Sequence, residues 1–220
     1  MHVQPLFAMT ERQALHRLMR DYPLATVVVA RSGKMDANLL PLHLADRGAH
    51  GLLSGHVARS HSLWAQDPTE TEVTAVFQSP SAYISPRWYV NGQRGGRNAP
   101  SWNYVAVQAQ GRLRFIDDAD WMRAHLAALT AAQEAGRPHP WSVDDASPEF
   151  LGETARRLVG FEIEIQALTG KRFLSQQRTE ADRESLVRNL EGEVSLAARE
   201  VGGLIGAATS STNATKPPSD

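Results

Sequence analysis

Apolar and polar positions alternate over most of the middle of this chain, while helical spacing is confined to its start, to the 118–135 segment and to its last third. After a short extended opening (Met1 to Phe7), Ala14, Leu15, Leu18 and Met19 recur at helical spacing behind Thr10-Glu11-Arg12-Gln13, which supplies an N-cap. Proline disfavours helical geometry in the residue before it, so that helix ends near Asp21-Tyr22-Pro23. Leu24 to Ala30 is a β-branched run, Arg31-Ser32-Gly33-Lys34 reads as a turn, and Met35 to Ala45 is the second arm of a hairpin. Pro41 cannot donate a ladder hydrogen bond, which makes that arm an edge or a bulged strand. After a turn over Asp46 to His50, the apolar run Leu52-Leu53 stops at Gly55. His56, Arg59 and Ser60 follow, and then a short helical pattern.

The second half continues in the same manner. Thr71 to Gln78 is a strand rich in Val and Thr; Ser79-Pro80 interrupts it, and Ala82 to Ser85 resumes it. Asn91 to Pro100 is polar, basic and glycine-rich, the composition of a surface loop. Trp102 to Phe115 is the longest strand candidate. Asp117 or Asp118 caps a helix carrying Trp121, Leu126 and Leu129, and Ser147-Pro148-Glu149 opens a shorter one. Val159 to Ile165 has the cleanest period of two, which predicts a strand with one wet face. Thr179 caps a further helix, with Asp182 completing the box. From about Gly206 the composition is that of disorder. The pattern predicts a mainly β (α+β) chain, a β-barrel with peripheral helices, and no repeats.

Composition narrows the function classes. At 220 residues the chain is long enough for a full core, and 42% apolar with 21% charged residues is ordinary for a globular domain. A net charge of -1 supplies no general field for nucleic acid. With no cysteine there are no disulfides, thiolate metal sites or cysteine nucleophiles. No leader pattern or membrane-spanning run is present, so the expected location is cytoplasmic.

A strand that hands over to a helix at Arg59-Ser60 offers backbone N–H groups, a guanidinium and a hydroxyl together, which suits a phosphate. The plain alternative is a solvated arginine at a helix start. His56 and His61 lie five apart without a carboxylate or cysteine pattern, which argues against a metal site. Tyr83, Ser85, Trp88, Tyr89, Trp102 and Tyr104 concentrate aromatic surface; part of it can be core, yet Trp102 and Tyr104 share one strand face and offer stacking area for a flat ring. Lys171, Ser175, Gln176 and Arg178 are either an exposed turn or a rim that meets a polar ligand. There is no G-x-S-x-G elbow, H-E-x-x-H helix or Walker-type loop, and no catalytic residue is assigned.

Several ordered blocks carry a resemblance. Gly55-His56-Val57-Ala58-Arg59-Ser60, Phe77 to Tyr89 (FQSPSAYISPRWY), Pro100 to Val107 (PSWNYVAV), Pro140-Trp141, Val159 to Ile163 and Gly170 to Gln176 (GKRFLSQ) are together similar to the PaiB family. The resemblance covers about residues 1 to 190 as an FMN-binding domain. It leaves a C-terminal extension open to helix formation over 191–206 and a disordered tail over 207–220. It implies an FMN-binding split β-barrel with peripheral helices, like that of pyridoxamine-phosphate oxidases. It further implies a homodimer with two FMN clefts between subunits, and a negative transcriptional regulator linked to sporulation and degradative-enzyme genes. By that analogy Arg59 and Ser60 hold the FMN phosphate, with His56 and backbone of Val57 and Ala58 beside them. Asn38 to Leu42, among them Leu40, run under the isoalloxazine, and Tyr83 and Ser85 count among the cofactor-binding residues. Trp102 and Tyr104, or Lys171, Ser175 and Gln176 from a partner chain, close the cleft. Ser60 stands where the family is expected to carry asparagine more often, and its hydroxyl still serves a phosphate. Two other functions on the same barrel stay open: an NAD(P)H-linked flavin oxidoreductase, and a haem-binding or haem-degrading protein with His56 or His61 as axial ligand. Direct DNA contact has no support in the charge: the Asn91–Asn98 loop carries only Arg94 and Arg97.

Overall fold

The computed structural model describes residues 1–31, 33–65, 71–93 and 95–214; Ser32 of the hairpin turn and Arg94 of the glycine-rich loop lie outside the described residues. In chain order the elements are β1 (Ala8–Met9), α1 (Arg12–Asp21), β2 (Leu24–Arg31), β3 (Lys34–Pro41), β4 (His43–Ala45), β5 (Leu52–Ala58), α2 (Ser62–Ala65), β6 (Thr71–Gln78) and β7 (Ala82–Ile84). They continue with β8 (Ser101–Ile116), α3 (Ala119–Glu134), α4 (Pro148–Arg157), β9 (Leu158–Phe173), α5 (Glu180–Glu191) and α6 (Leu196–Ala214). Among the described residues the sheet path is β3-β2-β6-β8-β9-β5-β4, with β1 added to β9 and β7 to β8. The chain divides into two compact units: Met1–Thr10, Gln78–Ala106 and Gly170 onward form one, Glu11–Phe77 and Val107–Thr169 the other.

The larger unit is built on the β2–β3 hairpin. Val27 lies opposite Ala75 and Val29 opposite Val73 on β6, and all four are buried. The reverse face of β2 and β3 pairs Leu24 with Pro41, Thr26 with Leu39, Val28 with Ala37 and Ala30 with Met35. The predicted second arm, Met35 to Ala45, is cut at Pro41: that residue has no N–H, the ladder with β2 closes there, and His43–Ala45 pairs with β5 instead. β3 is the end strand of the path, in keeping with the proline.

β9 departs from the single wet face that its alternation predicts. Val159 to Ile163 are all buried, because Phe161 and Ile163 face the core while α3 covers Gly160 and Glu162. Glu162 is tolerated there because both of its oxygens are satisfied. One accepts from Arg114 Nη2 at 2.6 Å and the other from Trp121 Nε1 at 3.2 Å. Gly160 is required by the same contact, since a Cβ on it would run into the Trp121 ring.

In the smaller unit, Phe7 packs on Phe173 with ring centroids 4.4 Å apart, and Leu186, Leu190, Val201 and Ile205 are buried on α5 and α6. Thr179 caps α5 as its sequence predicts, accepting from Asp182 N–H. The Asp182 carboxylate does not close the box; it accepts the N–H groups of Val90 and Asn91 at 2.8 and 2.9 Å. The stretch read as disordered from 207 is helical to Ala214, a continuation of α6, and 215–220 lie outside the described residues. Low-complexity composition misleads here because alanine, at 207, 208 and 214, is the strongest helix former, and a helix already packed on α5 needs no new nucleus.

Candidate functional site

The strand-to-helix junction forms as predicted: β5 ends at Ala58 and α2 begins at Ser62. Its hydrogen bonds are largely committed. Arg59 N–H donates to the Arg157 carbonyl and His61 N–H to that of Ala58. The Arg59 guanidinium donates through Nε to the Arg156 carbonyl at 2.7 Å, through Nη1 to Asp117 Oδ2 at 2.8 Å, and through Nη2 to Asp117 Oδ1. This fork-on-carboxylate geometry raises the guanidinium further above its ordinary value and holds the Asp117 carboxyl below the usual carboxylate range. Ser60 is exposed. Val57 is buried, so only its backbone can meet a ligand.

His56 points from β5 toward α3, where Nδ1 shares a hydrogen bond of 3.0 Å with His125 Nε2. His125 Nδ1 in turn lies 3.2 Å from Ser54 Oγ, and the Trp121 ring stacks on the imidazole with centroids 5.1 Å apart. Burial, then the nearby His56 and His43, push His125 down to about 4; burial likewise lowers His56. Both rings are therefore neutral near pH 7, and one donates to the other. His61 Nδ1 accepts from Leu63 N–H at 3.1 Å and starts α2. Among the described residues no group of three metal-ligating side chains comes together.

On β3, Leu40 is buried and Leu42, just past the strand, is too; they can offer only backbone to a ring. Asn38 differs. Its Nδ2 is buried, and no acceptor among the described residues meets it.

In the smaller unit, Tyr83 and Trp102 form an edge-on aromatic pair, centroids 6.1 Å apart, with 47% and 56% of their surfaces exposed. Ser85 Oγ accepts from Arg87 N–H and starts a 3-10 turn. Lys171 Nζ sits 5.5 Å from the Tyr104 ring centroid. Ser175, buried with φ 61°, shares hydrogen bonds with Asn103, and Gln176 closes on its own turn through the Leu174 N–H and the Arg172 carbonyl. Sequence patterns missed Asp117, His125, Trp121 and Glu162 as neighbours of the junction. One signal was there: the Asp117-Asp118 doublet, of which the helix needs only Asp118 as its cap.

Residues 1–167 match the family described as "Putative FMN-binding domain". The chain belongs to this FMN-binding family, the PaiB family. Among its relatives, the protease synthase and sporulation protein PAI 2 of Bacillus subtilis is 28% identical over 205 residues, spanning 93% of this chain and 96% of that protein. The uncharacterized protein YKL070W of Saccharomyces cerevisiae is 35% identical over 106 residues, 48% of this chain and 62% of that one. Among solved structures, the FAD and heme binding protein of Mycobacterium smegmatis superposes with a TM-score of 0.58 at 17% identity, covering 82% of this chain and 79% of that chain. The flavocytochrome Anf3 of Azotobacter vinelandii gives 0.50 at 15%, covering 78% and 72%. The PaiB-family fold here is the split β-barrel with peripheral helices, and FMN is its cofactor.

The residues present fit FMN. The buried, unmatched Asn38 amide is a donor that costs free energy until an acceptor arrives, and a flavin ring carries carbonyl oxygens and ring nitrogens of that kind. The β3 edge leaves strand backbone accessible beside it. Arg59 has the bidentate fork that a phosphate accepts, and its present partner, the half-exposed Asp117 carboxylate, is a group that a phosphate dianion can replace.

Proposed function

We propose that this protein is a flavin-dependent sensor in the cytoplasm that acts as a negative transcriptional regulator. It works as a homodimer in which the second subunit completes each FMN cleft. The observation that carries this reading is the likeness along 93% of the chain to the Bacillus subtilis protein, whose name ties that protein to protease synthesis and sporulation. The dimer draws support from the outer face of β2 and β3. Leu24, Met35, Ala37, Leu39 and Pro41 are exposed there side by side, with Leu24, Met35 and Leu39 at 60%, 72% and 69%. A contiguous apolar sheet face of this kind is the usual mark of a protein interface.

In the cleft, Arg59 and Ser60 bind the phosphate beside His56 and the backbone of Val57 and Ala58. Asn38 donates to the ring over the backbone of Leu40 and Leu42, and Trp102 and Tyr104, or Lys171, Ser175 and Gln176, come from the second subunit to close the cleft. FMN itself supplies a redox centre whose state can be read.

The net charge of -1 gives no overall field for DNA, so transcripts rather than DNA affinity are the readout. In a host lacking the gene, a defined set of transcripts should rise. The wild-type gene should restore repression and the Arg59→Ala gene should not. Unchanged transcripts, or equal rescue by both genes, would overturn the regulatory reading. Rapid NAD(P)H-driven turnover of the bound flavin in the purified protein would replace it with an oxidoreductase.

A further inference from the structure

A cavity of about 310 Å³ opens between α3 and α4 in the larger unit. That is at the lower end of the range for small-molecule sites, roughly 300–1,000 Å³, and large for a domain interior, where voids bigger than a water are few. Its body is apolar: Met122 and Leu126 come from α3, Leu151 from α4, Ile116 from the end of β8 before α3, and Leu158 from the start of β9 after α4. The void is kept open by the sequence of α4. Gly152 sits inside the helix and lines the cavity, and a Cβ built on it would meet nothing within 4 Å. A mid-helix glycine weakens a helix relative to alanine, and here no close approach or positive φ calls for it.

The mouth is charged, and the charges sort unevenly. Both carboxylates that line it are engaged, Asp117 by the Arg59 fork and Asp118 by the Trp121 N–H that it caps. Two of the three arginines that line it, Arg123 and Arg156, have side chains with no hydrogen-bond or ion-pair partner among the described residues. An apolar body beneath two uncommitted guanidinium groups selects an apolar anion.

We propose that this cavity is a binding site for a small apolar carboxylate, an aromatic or medium-chain acid, with its tail between α3 and α4 and its carboxylate on Arg123 and Arg156. The site is built from one chain; it adjoins the proposed flavin site, because Arg59 and Asp117 stand at its mouth, but it holds its ligand on Arg123 and Arg156 and can be tested in the FMN-free protein.

Isothermal titration calorimetry with decanoate, decylamine and decanol tests it, on the full chain with and without saturating FMN. One decanoate per chain is expected without FMN, and still one per chain but bound more weakly with FMN saturating, since Asp117 released from Arg59 then faces the same mouth. Decylamine should bind the FMN-free protein at least tenfold more weakly than decanoate. Arg123→Glu should weaken decanoate at least tenfold and leave decanol unchanged. Gly152→Leu places a side chain in the void and adds a better helix former to α4, so it should fold; it should abolish decanoate and decanol binding and leave FMN affinity as it was. Equal binding of decylamine, or full binding to the Gly152→Leu protein, would overturn the proposal. Displacement of decanoate by FMN would overturn it too, by making the cavity part of the flavin site.

Discussion

Arg59 and Asp117, 58 residues apart in the chain, are locked in a two-point ion pair at the end of β5. The residue with the best geometry for a phosphate thus already holds an anion. A phosphate that takes its place must displace a carboxylate, and the affinity measured for FMN is a difference between two ion pairs rather than the strength of one. Asp117→Asn removes the competing charge while keeping the side-chain size. It should tighten FMN several-fold, read by quenching of flavin fluorescence on titration; a weaker complex would show that Asp117 supports the ligand instead of opposing it.

The His56–His125 pair predicts a pH dependence. His125 is held at about 4 by burial and by its histidine neighbours, against 6.5 in the unfolded chain. The unfolded state therefore binds the extra proton first as pH falls. Stability should be full above about 6.5, decline between 6.5 and 4, and lose on the order of 3 kcal/mol over that window at about 1.4 kcal/mol per pKa unit. Chemical denaturation at a series of pH values should show that slope, and His125→Gln should flatten most of it. An equal slope in the variant would place the dependence elsewhere.

Close packing of Gly160 beneath Trp121 makes a second stability test. A methyl group there collides with a ring that also stacks on His125 and donates to Glu162. Gly160→Ala should cost about 1–3 kcal/mol, as overpacking of a filled site does, and the loss should appear in the thermal midpoint. A neutral effect would mean that the Trp121 ring moves away without penalty.

The positions of the strands and most helix starts were legible in the sequence because they rest on local chemistry. Pro41 marks an edge, Ser147-Pro148 and Thr179 start helices, and valine-rich runs make the core strands. What was not legible depends on contacts distant in the chain. The outer face of β9 reads as wet because Glu162 and Glu164 are charged, and only α3, about forty residues earlier, buries Glu162. Arg59 reads as free because nothing near it in sequence is acidic; its partner lies on the approach to α3. The helical run from 207 to 214 was hidden by composition, since serine, threonine and glycine nearby suggested disorder and the docking of α6 on α5 leaves no short-range mark.

The exposed apolar face of the β2–β3 hairpin makes the homodimer testable. Leu39→Glu combined with Met35→Lys places charge on that face without touching the buried side of either strand. Sedimentation should show a dimer for the wild type and a monomer for the double variant, with FMN affinity falling together with the dimer. A monomeric wild type that still binds FMN tightly would contradict a cleft shared between subunits.

The central claim is that Arg59 anchors the phosphate of FMN. It is tested most directly by titrating FMN, and riboflavin beside it, into the wild-type and Arg59→Ala proteins while following flavin absorbance and fluorescence. The account predicts that Arg59→Ala weakens FMN about tenfold or more, the scale of a charge-assisted contact, and leaves riboflavin, which has no phosphate, nearly unchanged. Equal FMN affinity in the two proteins, or an equal loss for riboflavin, would contradict it.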